Sequence, residues 1–102
     1  MIYLPVNFDL FDQPWTIRAA HLHELPTDLG LCKADELEVV INPGQCESSM
    51  RQTIWHEIVH SWEIKLELDL TERQTDLIAL SLIHFFRQNP HMVEYLLDEV
   101  ND

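Results

Sequence analysis

Glycine is nearly missing from this chain. Of 102 residues only two are Gly and five are Pro, which excludes collagen-like and low-complexity architectures. Bases are scarce as well: six Lys and Arg stand against 18 Asp and Glu, for a formal charge of −12. A field of that sign repels nucleic-acid phosphate and anionic lipid, so neither is expected as a direct partner. A cationic protein or peptide fits it better. No apolar run approaches the ~20 residues that a membrane span needs. The opening residues, Met-Ile-Tyr-Leu-Pro-Val-Asn-Phe-Asp, have no basic segment followed by a long apolar one. They do not read as a secretory signal, and a cytoplasmic protein is expected. The only two cysteines, Cys32 and Cys46, form no C-x-x-C. A reduced pair is expected in place of a disulfide or a thiolate metal site.

What is present describes a small soluble domain. Hydrophobic residues make up 46% and charged residues 24%, enough for one modest core and a single domain over residues 1–102. The first forty-odd residues read as strands. These are Val6–Leu10, Trp15–Ala20 after the break at Asp12-Gln13-Pro14, Leu29–Lys33, and Leu37–Ile41, the most β-prone run in the chain. Asn42-Pro43-Gly44 ends that run.

The remainder reads as three helices. Ser49 and Gln52 have capping-box spacing for a helix over about Met50–Leu66. Thr71 and Gln74 repeat that spacing for a second helix, Glu72–Gln88. Asn89-Pro90 opens a third, to Val100, with Met92, Val93, Leu96, Leu97 and Val100 on one face. The fold expected is α+β: a small antiparallel sheet of three to four N-terminal strands packed against the first helix and two further helices.

Chemistry concentrates in the first helix. His56-Glu57-Ile58-Val59-His60 is an H-E-x-x-H. Histidines at i and i+4 stand one turn apart on one helix face, where both imidazoles reach a single Zn²⁺. Glu57 then serves as the base that takes a proton from a zinc-activated water. At about 100° per residue, Met50, Ile54, Ile58, Trp62, Trp55 and Val59 form an apolar arc that leaves both histidines outside it.

A catalytic zinc needs a third protein ligand. Glu63, Glu67, Asp69, Glu72, Asp76 and His84 follow the motif. A short Glu67–Leu70 connection makes the second helix an antiparallel neighbour, and counting back along it brings Asp76 level with His60. Asp76 is the first choice and Glu72, one turn earlier, the alternative. Tyr95, His91, Arg73 and His84 are candidates to stabilise an oxyanion. Trp55, Trp62, Phe85 and Phe86 are expected in the core.

Leu-Gly-Leu-Cys at 29–32, Leu-Glu-Val-Val-Ile-Asn at 37–42 and Arg-Gln-Thr-Ile-Trp-His-Glu-Ile-Val-His at 51–60 resemble small zincin-like metallopeptidases. With Leu-Thr-Glu-Arg-Gln-Thr-Asp-Leu-Ile-Ala-Leu-Ser-Leu at 70–82 and Arg-Gln-Asn-Pro at 87–90, the likeness is to compact phage and prophage proteins related to the ImmA/IrrE-type and SprT-like peptidases. The resemblance spans about residues 29–90. It implies a zincin-like fold, zinc on His56 and His60, Glu57 as base, and an acidic third ligand on the next helix. Asp76 takes that place because it precedes Ala79 by three residues. Alternatively Glu72 is the ligand with Asp76 behind it, as in gluzincins.

It also implies a substrate pairing with an exposed strand edge, Leu37–Ile41 or Leu29–Lys33. The expected function is zinc-dependent hydrolysis of a peptide bond in an intracellular, regulatory type of protein. The competing expectations are a non-catalytic acidic phage-type binding or inhibitor module with a structural or vestigial zinc site, and a latent peptidase that binds zinc without turnover.

Overall fold

The computed structural model describes residues 2–100; residues 1, 101 and 102, the ends of the expected domain, lie outside the described residues. The chain is α+β, with four strands followed by three helices. Strands β1 (Val6–Leu10) and β2 (Gln13–Ala19) form a hairpin in register from Val6 opposite Ile17 to Leu10 opposite Gln13. Its turn is Phe11-Asp12, with Phe11 at φ 56°, a left-handed position seldom given to an aromatic residue. Pairing runs right up to this turn, so Pro14 lies inside β2 and not in the break before it. The missing N–H is tolerated because pairing on the other side of β2 begins only at Thr16.

Residues 20–29 then carry the chain past one strand position to the outer edge. There β3 (Gly30–Lys33) starts, and after a 3₁₀ turn at Ala34–Glu36 the chain returns as β4 (Glu38–Ile41). The strand order is β1-β2-β4-β3. β4 is antiparallel to β3 but parallel to β2. The sheet is therefore mixed, which corrects the antiparallel expectation. Val39, Val40 and Ile41 are completely buried, as suits an interior strand whose two faces are both covered. With Leu10, Trp15, Ile17 and Met50, residues Val39 and Ile41 build the main core.

The 20–29 excursion is pinned by charge. Arg18 grips Glu24 with two nitrogens, Nη1 to Oε1 and Nη2 to Oε2, each at 2.8 Å. Lys33 Nζ on the edge strand reaches the same carboxylate at 2.9 Å, and the His21 N–H donates to it at 2.9 Å. These donors hold the Glu24 carboxyl far below its ordinary value, the Arg18 contact most of all.

Helix α1 spans Glu47–Lys65 with Cys46 at its N-cap. The Ser49/Gln52 capping box is not formed, and the helix begins three residues earlier than expected. Instead the Ser49 hydroxyl donates to Gln45 Oε1 at 2.6 Å. At the far end Leu68 N–H bonds Glu63 C=O and Glu67 N–H bonds Ile64 C=O, with Glu67 at φ 55°. This is a Schellman ending, which reverses the chain within a residue or two.

Helix α2 (Glu72–Gln88) opens on the expected capping box: Gln74 N–H donates to Thr71 Oγ1, and Thr71 N–H to Gln74 Oε1. It runs back along α1. Helix α3 (Pro90–Leu97) stops three residues short of the expected end and has no buried residue. Met92, Leu96, Leu97 and Val100, expected on one face, are all exposed. Phe85 and Phe86 are likewise at the surface, with Phe86 against Trp55 at a ring separation of 5.5 Å.

Candidate metal centre

The packing of α1 decides which way its motif points. Its buried residues are Met50, Thr53, Glu57, Val59 and Ser61. Thr53, Glu57 and Ser61 recur every fourth position, so a polar stripe is buried, whereas of the expected apolar arc only Met50 and Val59 are buried and Ile54, Trp55, Ile58 and Trp62 are half-buried. Gly30, the first residue of β3, faces this stripe. A Cβ on Gly30 would stand 2.6 Å from Thr53 Cγ2 and 3.1 Å from Glu57 Cγ. Only a residue without a side chain lets the edge strand come this close to α1. Gln45 fixes the approach. Its amide nitrogen donates to the carbonyls of Leu29 and Asn42, at 3.1 and 2.9 Å, and its oxygen accepts from Ser49 and Thr53. Neither Gly30 nor Gln45 was singled out from the sequence: the Gly30 contacts with Thr53 and Glu57 are distant in the chain, and the bond from Gln45 to Leu29 spans 16 residues.

Between β3, α1 and the first turn of α2 lies a cleft of about 720 Å³, lined by His56, Glu57, His60, Glu72 and Asp76, with Asp28 and Cys32 on the strand side. Nitrogens of His56 and His60 and a carboxylate oxygen of Glu57 all lie within 4.8 Å of one another. The two Nε2 atoms are 3.0 Å apart. Glu72 reaches both, Oε2 to His56 Nε2 at 3.2 Å and Oε1 to His60 Nε2 at 3.1 Å. Asp76 Oδ1 lies 2.6 Å from His56 Nδ1, on the other side of that ring. Glu63 Oε1 meets His60 Nδ1 at 3.0 Å, while its Oε2 accepts from Leu70 N–H. Each imidazole thus has a carboxylate at Nδ1, the arrangement in which a proton on Nδ1 leaves Nε2 free for a metal.

The two carboxylates therefore occupy positions opposite to the expected preference. Glu72 is level with His60, and Asp76 is level with His56 and set behind it. The Schellman reversal at Glu67 explains the difference: α2 starts one turn closer to His60 than a simple count along the connection gives. Asp76 is also exposed. Of the other acids considered, Glu63 backs His60, whereas Glu67 and Asp69 belong to the connection. Tyr95, His91, Arg73 and His84 are all absent from the cleft lining.

The donor set suits zinc. Two donors bound to one tetrahedral zinc at its usual bond lengths stand about 3.3 Å apart. The separations among His56 Nε2, His60 Nε2 and the Glu72 oxygens, 3.0 to 3.2 Å, differ from that by a few tenths of an ångström. Glu57 is nearly buried beside them. Burial raises its carboxyl above the ordinary value, while the two imidazoles pull it back down. Cys32 is pushed up to about 11 by burial, with smaller contributions from Glu57 and Glu63, so its thiol stays protonated at neutral pH.

Compared with known proteins, the chain matches no family model, no curated protein and no solved structure. Among the described residues, no helix is long and apolar enough to cross a membrane.

Proposed function

We propose that the chain is a zinc-dependent metallopeptidase whose metal is held by His56, His60 and Glu72. The observation that carries this reading is the convergence of both Glu72 oxygens on the two inward Nε2 atoms, with Glu57 buried alongside and unused as a bridge between helices. Zinc bound there supplies a polarised carbonyl and a water of lowered pKa. Glu57 accepts the proton of the attacking water on its carboxylate and returns it to the departing amide nitrogen. Asp76 and Glu63 hold the two rings in orientation through Nδ1. Gly30 and Gln45 keep β3 against α1, so that a peptide has one wall of the cleft to lie along. That wall is β3 alone, since β4 is paired on both sides. Asp28, Glu57, Glu72 and Asp76 line the cleft with no Lys or Arg among the lining residues, which favours a cationic segment of substrate.

One observation favours a second reading. No Tyr, Lys or Arg lines the cleft to stabilise an oxyanion, as suits a non-catalytic acidic binding module with a structural zinc. Glu57→Gln separates the two. The substitution keeps a hydrogen-bonding amide but removes the proton acceptor. Incubated with a library of proteome-derived peptides and read by mass spectrometry, the zinc-loaded protein is expected to cleave. The Gln variant is expected to retain its zinc and lose at least about 100-fold of the rate. Cleavage by neither protein would contradict the catalytic reading.

A further inference from the structure

We infer that the α2–α3 arm is a self-association surface, occupied by the same arm of a second copy of this chain. The exposed apolar side chains recur at helical spacing, Ile78 and Phe85 on α2, Met92, Tyr95 and Leu96 on α3, followed by Leu97. Tyr95 and Leu97 are 76% and 73% exposed, and α3 buries nothing of its own. A soluble monomer seldom leaves so much apolar surface together. With the neighbouring apolar residues of the arm, on the order of 800 Å² of side chain faces water, the share each partner contributes to a standard interface.

Charge identifies the occupant. The chain carries 24 charged residues at a net −12, yet positions 77–97 hold only Arg87 and Glu94, which cancel. A partner recognised by its positive charge would be met by the acids elsewhere on the molecule. A neutral apolar face is matched by another of its kind, and a second copy brings an identical one through a two-fold axis. Self-association of a −12 chain is opposed by its own field, so an interface confined to this net-neutral stretch costs little. The molecule is elongated, 50 by 28 by 28 Å, and among the described residues none beyond Asp76 lines the cleft. Pairing through the arms leaves both clefts open.

Sedimentation equilibrium between about 1 and 100 μM tests this, with Tyr95→Glu and Leu97→Glu as variants. Both positions are exposed, so far-UV circular dichroism and zinc content are expected to match the parent. The parent is expected to sediment at twice its 12.0 kDa mass. Each variant is expected to raise the dissociation constant at least about tenfold, and the pair together to give a monomer. A 12.0 kDa species throughout the range overturns the proposal. So does a dimer that survives both substitutions, or an open-ended series of larger masses.

Discussion

Glu72 and Asp76 stand one helical turn apart at different nitrogens of the same imidazole, and that division decides what each substitution does. Glu72→Ala removes the carboxylate shared by both Nε2 atoms and is expected to weaken zinc binding more than about 100-fold. Asp76→Ala removes the contact behind His56 Nδ1 and is expected to cost about 10- to 100-fold. Competition with a chelator of known affinity measures both, and the reverse order would return the ligand role to Asp76. At Gly30 the question is steric. Gly30→Ala is expected to destabilise by about 1–3 kcal/mol through the clash with Thr53 Cγ2. Adding Thr53→Ser deletes that methyl and keeps the hydroxyl bond to Gln45, so urea unfolding should show partial recovery. The H-E-x-x-H was legible at this scale because i, i+4 geometry is local. Gly30 was not, since Thr53 and Glu57, which require it, lie more than twenty residues away.

At the scale of elements, capping shows where local signals suffice. The Thr71/Gln74 box formed as its spacing predicts, since nothing upstream competes for Thr71. The Ser49/Gln52 pair has the same spacing, but Gln45 takes the Ser49 hydroxyl and the helix extends back to Glu47. The position of β4 was legible from its Val-Val-Ile run and that of β1 from apolar alternation, whereas the parallel pairing of β2 with β4 depends on where the 20–29 excursion lands. Glu24 anchors that excursion, which gives it a pH signature. Its folded pKa is depressed below the ordinary 4.5, so its stabilising contribution is present in full above about pH 4.5 and is lost as pH falls toward the folded value. Glu24→Gln is expected to lower stability at pH 7 and to flatten the acid limb below pH 4.5, as read by thermal unfolding across pH. An unchanged acid limb would show that the Arg18 and Lys33 contacts do not hold the loop.

For the whole molecule, two regions with different chemistry share one small chain. The sheet, α1 and the start of α2 enclose an acidic cleft around two imidazoles, while the charge-poor stretch 77–97 of α2 and α3 extends beyond it. The apolar face of α3 was legible from its periodicity, but periodicity identifies such a face without saying which molecule buries it. The register of α2 against α1 was also hidden, because the reversal at Glu67 is a backbone event with no glycine to mark it. The central claim is a zinc site that unites α1 and α2. It is tested most directly by metal content, measured by inductively coupled plasma mass spectrometry on protein purified without chelator and then re-equilibrated with limiting zinc. The account predicts one zinc per chain, none in His56→Ala, and stabilisation of about 2.7 kcal/mol when free zinc stands at 100 times its dissociation constant. Protein that stays metal-free at neutral pH, or binds zinc equally well without His56, would contradict it.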